Sequence, residues 1–170
     1  PKRNPKLNKS EIEKILKEYL GVKKVLWLPA GAPQGDDTDG HIDNLARFVS
    51  AERIVAPRTS DTADPNYSLY EDNFKKLKSM TDSEGKSLEV IPLPVPKPIP
   101  FNGNLLPASY ANFYVANRVV LLPVFDDPKG REFVERGLDQ QIASYKMYLL
   151  VVEYQRYLYT PGTKDLSFDE

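Results

Sequence analysis

One order of elements occurs twice in this chain, about 70 residues apart, and it constrains the fold more than any single segment does. The first copy is an extended stretch from His41 to Val49, with Ile42, Phe48 and Val49 as strand residues. A tight Ser50-Ala51-Glu52-Arg53 connection leads into Ile54-Val55-Ala56, which reads as the second arm of a hairpin. Asp64-Pro65 then begins a helix with Tyr67, Leu69, Tyr70, Phe74 and Leu77 at its apolar positions. After a turn over Asp82 to Lys86 with Gly85 in it, Leu88-Glu89-Val90-Ile91 is a strand. The second copy pairs Tyr110 to Ala116 with Val119 to Phe125 across Asn117-Arg118, and Asp126-Asp127-Pro128 introduces a helix to about Leu138. The prediction is an α/β domain assembled from ββαβ units. Two such units leave sheet edges unpaired, so this kind of architecture normally closes with more.

The flanks are simpler. Ser10 reads as a helix N-cap, completed by Glu13 as a capping box. Ile12, Ile15, Leu16, Tyr19 and Leu20 follow as one apolar stripe, and Gly21 ends the helix. Val25-Leu26-Trp27-Leu28 before Pro29 has the form of a buried strand. The run from Pro92 to Pro100 is denied a helix or a central strand by its prolines. Tyr145 to Tyr159 is aromatic and β-branched with little periodicity, strand or helix.

Gly35-Asp36-Asp37-Thr38-Asp39-Gly40-His41-Ile42-Asp43-Asn44 carries the chemistry. Four aspartates and the only histidine fall within eight residues. Aspartate favours neither helix nor strand, and like charges this close repel. A cation is the natural partner, and an imidazole beside it can move a proton. On a strand, His41 and Asp43 project from the same face, because side chains alternate. An EF-hand register fails: with Gly40 at the sixth position, Gly35 stands first and Ala46 twelfth. Carboxylates with one imidazole leave a Mg²⁺ or Mn²⁺ site, and so a divalent-metal hydrolase, open. Guanidinium recognition is also open, since carboxylates grip that planar group with paired hydrogen bonds. The bland alternative is a set of turn-capping aspartates and a solvated histidine.

Composition narrows the classes. With 23 basic and 24 acidic side chains, the chain lacks the basic excess of a nucleic-acid partner. No apolar run is long enough to span a bilayer, and Pro1-Lys2-Arg3-Asn4 does not resemble a secretory leader, so the expected address is cytoplasmic. There is no cysteine, hence no disulfide, thiolate metal site or thiol nucleophile.

Trp27-Leu28-Pro29 followed by the Gly35–Asn44 motif strongly resembles the agmatine deiminase family, relatives of the bacterial peptidyl-arginine deiminases. The resemblance extends to Asn4-Pro5-Lys6-Leu7, Asp64-Pro65-Asn66-Tyr67, Leu93 through Pro98, and Pro107 through Tyr114. It implies a pentein-type fold, a five-bladed α/β propeller of ββαβ units, of which this chain would hold about two to three. One partial domain over residues 1–170 is expected, family-like to 137 and divergent from 138. The resemblance also implies hydrolysis of agmatine to N-carbamoylputrescine and ammonia, in putrescine synthesis, through a covalent adduct on a cysteine and without a cofactor or metal. His41 matches the family's acid–base histidine. Asp43 matches the carboxylate that binds the guanidinium. Asn112, in Ser-Tyr-x-Asn, corresponds to a polar residue lining the site. Asp36, Asp37 and Asp39 are expected to shape the loop by capping and turn hydrogen bonds, with Asp37 also a candidate for substrate contact. The family's Trp-x-Arg-Asp segment and its His-Cys segment have no counterpart here, so the chain is expected to be an internal fragment, inactive alone. Its partners would be a small guanidine, with a homo-oligomer or a second chain supplying the missing blades. The alternative is a non-catalytic binding or assembly subunit of the same fold.

Overall fold

The structure is a computed structural model that describes residues 4–29, 31–36, 38–101, 103–116, 119–125 and 152–153. Ile54-Val55-Ala56 is apolar without alternation, which is what a strand buried on both faces requires. It forms the middle of β2 (Arg53–Pro57), between β1 (Arg47–Phe48), which is antiparallel, and β3 (Glu89–Leu93), which is parallel. The parallel pair is joined through α2 (Tyr67–Lys78), so the first ββαβ unit is present as expected.

Because side chains alternate along β2, the sheet divides two cores. Ile54 and Ala56 pack with Phe74, Leu77, Leu88 and Val90 on the α2 side. Val55 packs with Leu93, Tyr110, Phe113, Val120, Leu122 and Phe125 on the other. That second core comes mainly from the later repeat, whose hairpin pairs β4 (Tyr114–Ala116) with β5 (Val119–Leu121). Tyr110 and Phe125 meet edge to face at 5.4 Å. Pro100–Phe101 and Asn104–Leu105 form a small hairpin. Pro123–Val124 pairs in parallel with Val152–Glu153, so that part of the aromatic tail is strand. The helix expected over Asp126 to Leu138 lies outside the described residues, as do Asn117 and Arg118.

Several expectations are corrected. The first helix, α1, is Lys9–Leu20, and its capping box is Asn8 with Glu11 rather than Ser10 with Glu13. Glu13 instead accepts the indole N–H of Trp27 at 2.7 Å. No residue of α1 is fully buried: Ile12 and Leu16 are half-buried while Tyr19 is 80% exposed, so its apolar stripe is only partly covered among the described residues. Gly21 does end the helix, at φ 67°. Val25 to Leu28 joins no ladder, although Leu26 and Leu28 pack onto the α2-side core. The Asp64-Pro65 start is a turn, in which the Asp64 carboxylate accepts the Asn66 N–H, and α2 begins at Tyr67. β3 runs on through Pro92 to Leu93, tolerable because it lies at the edge of the described three-stranded sheet. No helix among the described residues is long and apolar enough to cross a membrane.

Candidate functional site

The stretch from His41 is not the strand that Ile42 suggested. Ile42–Asn44 closes a 3₁₀ turn, with the Leu45 and Ala46 N–H groups both donating to the Ile42 carbonyl. Asp43 and Asn44 are turn formers, and Ile42 is 58% exposed, so no core face selects a pleat here. Strand structure begins only at Arg47. The turn nevertheless brings the expected pair together: His41 Nδ1 lies 3.9 Å from Asp43 Oδ1.

The acidic loop is built to present that turn. Asp39 (φ 58°) and Gly40 (φ 79°) are consecutive left-handed residues that reverse the chain into His41. The Asp36 carboxylate accepts from the Thr38 hydroxyl and, at 2.7 Å, from the Gly40 N–H. Thr38 Oγ1 in turn accepts the His41 N–H at 3.2 Å. Burial pushes the Asp36 carboxyl up, but these hydrogen bonds and the charge of His41 outweigh it and hold it below the ordinary carboxylate value. Asp36 therefore shapes the loop, as its sequence position suggested. The loop is also fastened to α2, through the Gln34 N–H donating to Asn66 Oδ1 at 2.6 Å.

The later repeat reaches the same turn. Asn112 Nδ2 donates to Asn44 Oδ1 at 3.2 Å, and Ser109 Oγ donates to the Asn44 carbonyl at 2.8 Å. Arg47 Nη1 donates to the Phe113 carbonyl at 2.7 Å while its guanidinium lies over the Phe113 ring. Of the predicted site residues, His41, Asp43 and Asn112 thus gather around one turn. Asp37 lies outside the described residues. Asn44, Ser109 and Arg47 were missed as a set, although all lie in or beside the segments that carried the resemblance.

The pair is accessible, with the His41 and Asp43 side chains 48% and 39% exposed. Within that exposed carboxylate, Oδ1 itself is buried and accepts no hydrogen bond among the described residues. Such an acceptor is unfavourable in a folded chain; the exposed remainder of the carboxylate is the part open to a cation. No group of three or more His, Cys, Asp and Glu among the described residues could hold a metal ion. The narrow crevice between the loop and the proline run is lined by Asp36, Asn44, Asp64 and Lys97, but not by His41 or Asp43. A wider groove of about 540 Å³ lies elsewhere, around Arg58, Tyr67 and Pro94.

Comparison with known proteins gives a consistent answer. The model of the Porphyromonas-type peptidyl-arginine deiminase family matches residues 1–148. The agmatine deiminase of Medicago truncatula is 41% identical over 163 residues, 85% of this chain and 44% of that protein. A C. jejuni agmatine deiminase, solved with substrate bound in a cysteine-to-serine form, superposes with a TM-score of 0.78 at 34% identity, over 88% of this chain and 43% of its own. The agmatine deiminase of Enterococcus faecalis gives 0.79 at 31%, over 88% and 45%. The chain thus spans less than half the length of the curated relatives it matches. Over the shared part the fold is the pentein-type α/β fold that the sequence predicted.

Proposed function

The chain belongs to the Porphyromonas-type peptidyl-arginine deiminase family, and from that premise we propose that it carries the acid–base and guanidinium-holding half of an agmatine deiminase site. The observation that carries this reading is the His41–Asp43 pair, 3.9 Å apart on one turn with both side chains part-exposed. A guanidinium supplies N–H groups in a planar fork, and a carboxylate accepts them with charge assistance.

In the reaction, agmatine and water give N-carbamoylputrescine and ammonia. A thiolate adds to the guanidinium carbon, and the C–N bond to the departing nitrogen breaks as His41 delivers a proton to it. Water then adds, losing its proton to His41, and the C–S bond breaks to release the ureido product and the thiol. Asp43 holds the guanidinium, with Asn112 and Asp37 as further contacts. With no cysteine of its own, this chain does not complete the sequence alone, and the thiol comes from another polypeptide segment. A homo-oligomer or a second chain completing the propeller, and a cytoplasmic address, belong to the same reading.

Calorimetric titration with agmatine tests it. Asp43→Asn is expected to weaken binding by about tenfold or more through loss of the charged acceptor, and unchanged affinity would overturn the assignment. In a ureido-product assay the chain alone is expected to show no turnover. Turnover abolished by His41→Ala would show that it is complete in itself. The absent cysteine equally supports a second reading, a non-catalytic binding subunit of the same fold. Mixing the chain with a cysteine-bearing remainder of a relative separates the two, because only the first predicts product.

A further inference from the structure

We infer that Ser109 is a positioning residue that clamps the His41–Asp43 turn, an inference that rests on the guanidinium-holding reading for its functional consequence. A three-residue 3₁₀ turn has little stability of its own, so its geometry must be imposed from outside. Ser109 is placed to impose it. It is only 7% exposed, and its hydroxyl is used in both directions: it donates to the Asn44 carbonyl at 2.8 Å and accepts the Ala111 N–H at 3.2 Å. The Ser109 carbonyl also accepts the Asn112 N–H at 3.2 Å, which sets the short turn that carries Asn112 back to Asn44 Oδ1. Asn44 in turn donates its N–H to the His41 carbonyl at 3.2 Å. One buried hydroxyl therefore joins the turn bearing His41 and Asp43 to the turn bearing Asn112.

Removing the hydroxyl leaves the Asn44 carbonyl and the Ala111 N–H without these partners, a loss large enough to loosen the turn. Threonine keeps the hydroxyl. Ser109 does not touch the reacting atoms, so its effect passes through the orientation of Asp43 and His41.

The test compares the parent chain, Ser109→Ala and Ser109→Thr by nuclear magnetic resonance. His41 is the only histidine and Trp27 the only tryptophan, so each ring gives one unambiguous set of signals. Trp27 reports the fold away from the turn, through its bond to Glu13 on α1. Without ligand, Ser109→Ala is expected to shift the His41 ring signals and to speed amide exchange at Leu45 and Ala46 by about tenfold. The Trp27 signals should stay in place, and Ser109→Thr should restore the parent pattern. With agmatine, Ser109→Ala should bind about three- to tenfold more weakly than the parent. Parent-like exchange and His41 signals in Ser109→Ala would overturn the inference. So would unfolding or a matching change at Trp27, which would make Ser109 a residue of the whole fold. If the exchange contrast appears but the parent binds no agmatine, the clamp is supported and it is the guanidinium reading that fails.

Discussion

Arg58 grips Glu71 with two hydrogen bonds, Nε to Oε1 at 2.6 Å and Nη2 to Oε2 at 3.4 Å. The pair fastens the end of β2 to α2, and the Arg58 guanidinium also lies 4.7 Å from the Phe74 ring centre. The hydrogen bond from Arg58 is the main reason that the Glu71 carboxyl titrates below its ordinary value.

A carboxyl held below its unfolded value stabilises the fold above that value, and the contribution is lost as pH falls through the folded one. The window here opens below the ordinary glutamate value of 4.5. Urea midpoints measured from pH 6 down to pH 3 should fall more steeply for the parent than for Glu71→Gln. Parallel curves would show that the pair adds nothing to acid stability.

Among the described glycines, Gly35 is the one that this fold can least replace. Its φ is 92°, and a Cβ there would stand 2.6 Å from the Leu105 carbonyl oxygen. Gly85 has a similar φ of 87° with nothing within 4 Å. Gly35→Ala is therefore expected to cost about 2–4 kcal/mol, backbone strain plus overpacking. Gly85→Ala should cost about 1 kcal/mol, from strain alone. Equal costs in denaturant unfolding would contradict the close approach.

The two α-helices among the described residues should respond differently to truncation. Leu77 on α2 is 1% exposed in the α2-side core, so Leu77→Ala should cost about 2–5 kcal/mol. Tyr19 on α1 touches no core, and Tyr19→Ala should change stability by no more than about 0.5 kcal/mol in this chain. Thermal unfolding of both variants decides the matter.

Tyr70 gives an alkaline signature. Burial, helped by the charge of Asp64, pushes its phenol up to about 12. A group raised above its unfolded value contributes stability that is full below pH 10 and lost as pH rises towards 12. Ultraviolet titrations of the parent and of Tyr70→Phe should differ by one phenolate, and that one should be late. Loss of an ordinary phenolate instead would place Tyr70 in water.

The parts of this molecule that are legible in its sequence are those where local pattern and burial agree. Ile54-Val55-Ala56 reads as a buried strand and is one, and Tyr70, Phe74 and Leu77 read as the inner face of α2 and are buried. Gly21 and the Asp82–Lys86 turn follow from backbone chemistry alone. The failures share a cause. Ile42 and the α1 stripe look like core residues, yet none of them is fully buried among the described residues, and a single sequence does not say what covers a face. The His41–Asp43 proximity was read correctly from their spacing, but it arises from a closed turn rather than from a pleat. Ser109 could not be ranked above its neighbours, because its role depends on Asn44, 65 residues away in the chain.

That separation also fixes an order of events. Closing a loop of 65 residues is entropically expensive, and the contacts that repay it form only once both ends exist. The hairpin of β1 and β2 is local and can form as soon as residue 57 has been made. The turn bearing His41 must wait for Ser109 and for the Arg47 contact at Phe113. During synthesis the candidate site therefore matures after the β1–β2 hairpin, and a guanidine bound there would brace the joint between earlier and later parts of the chain rather than seed its folding.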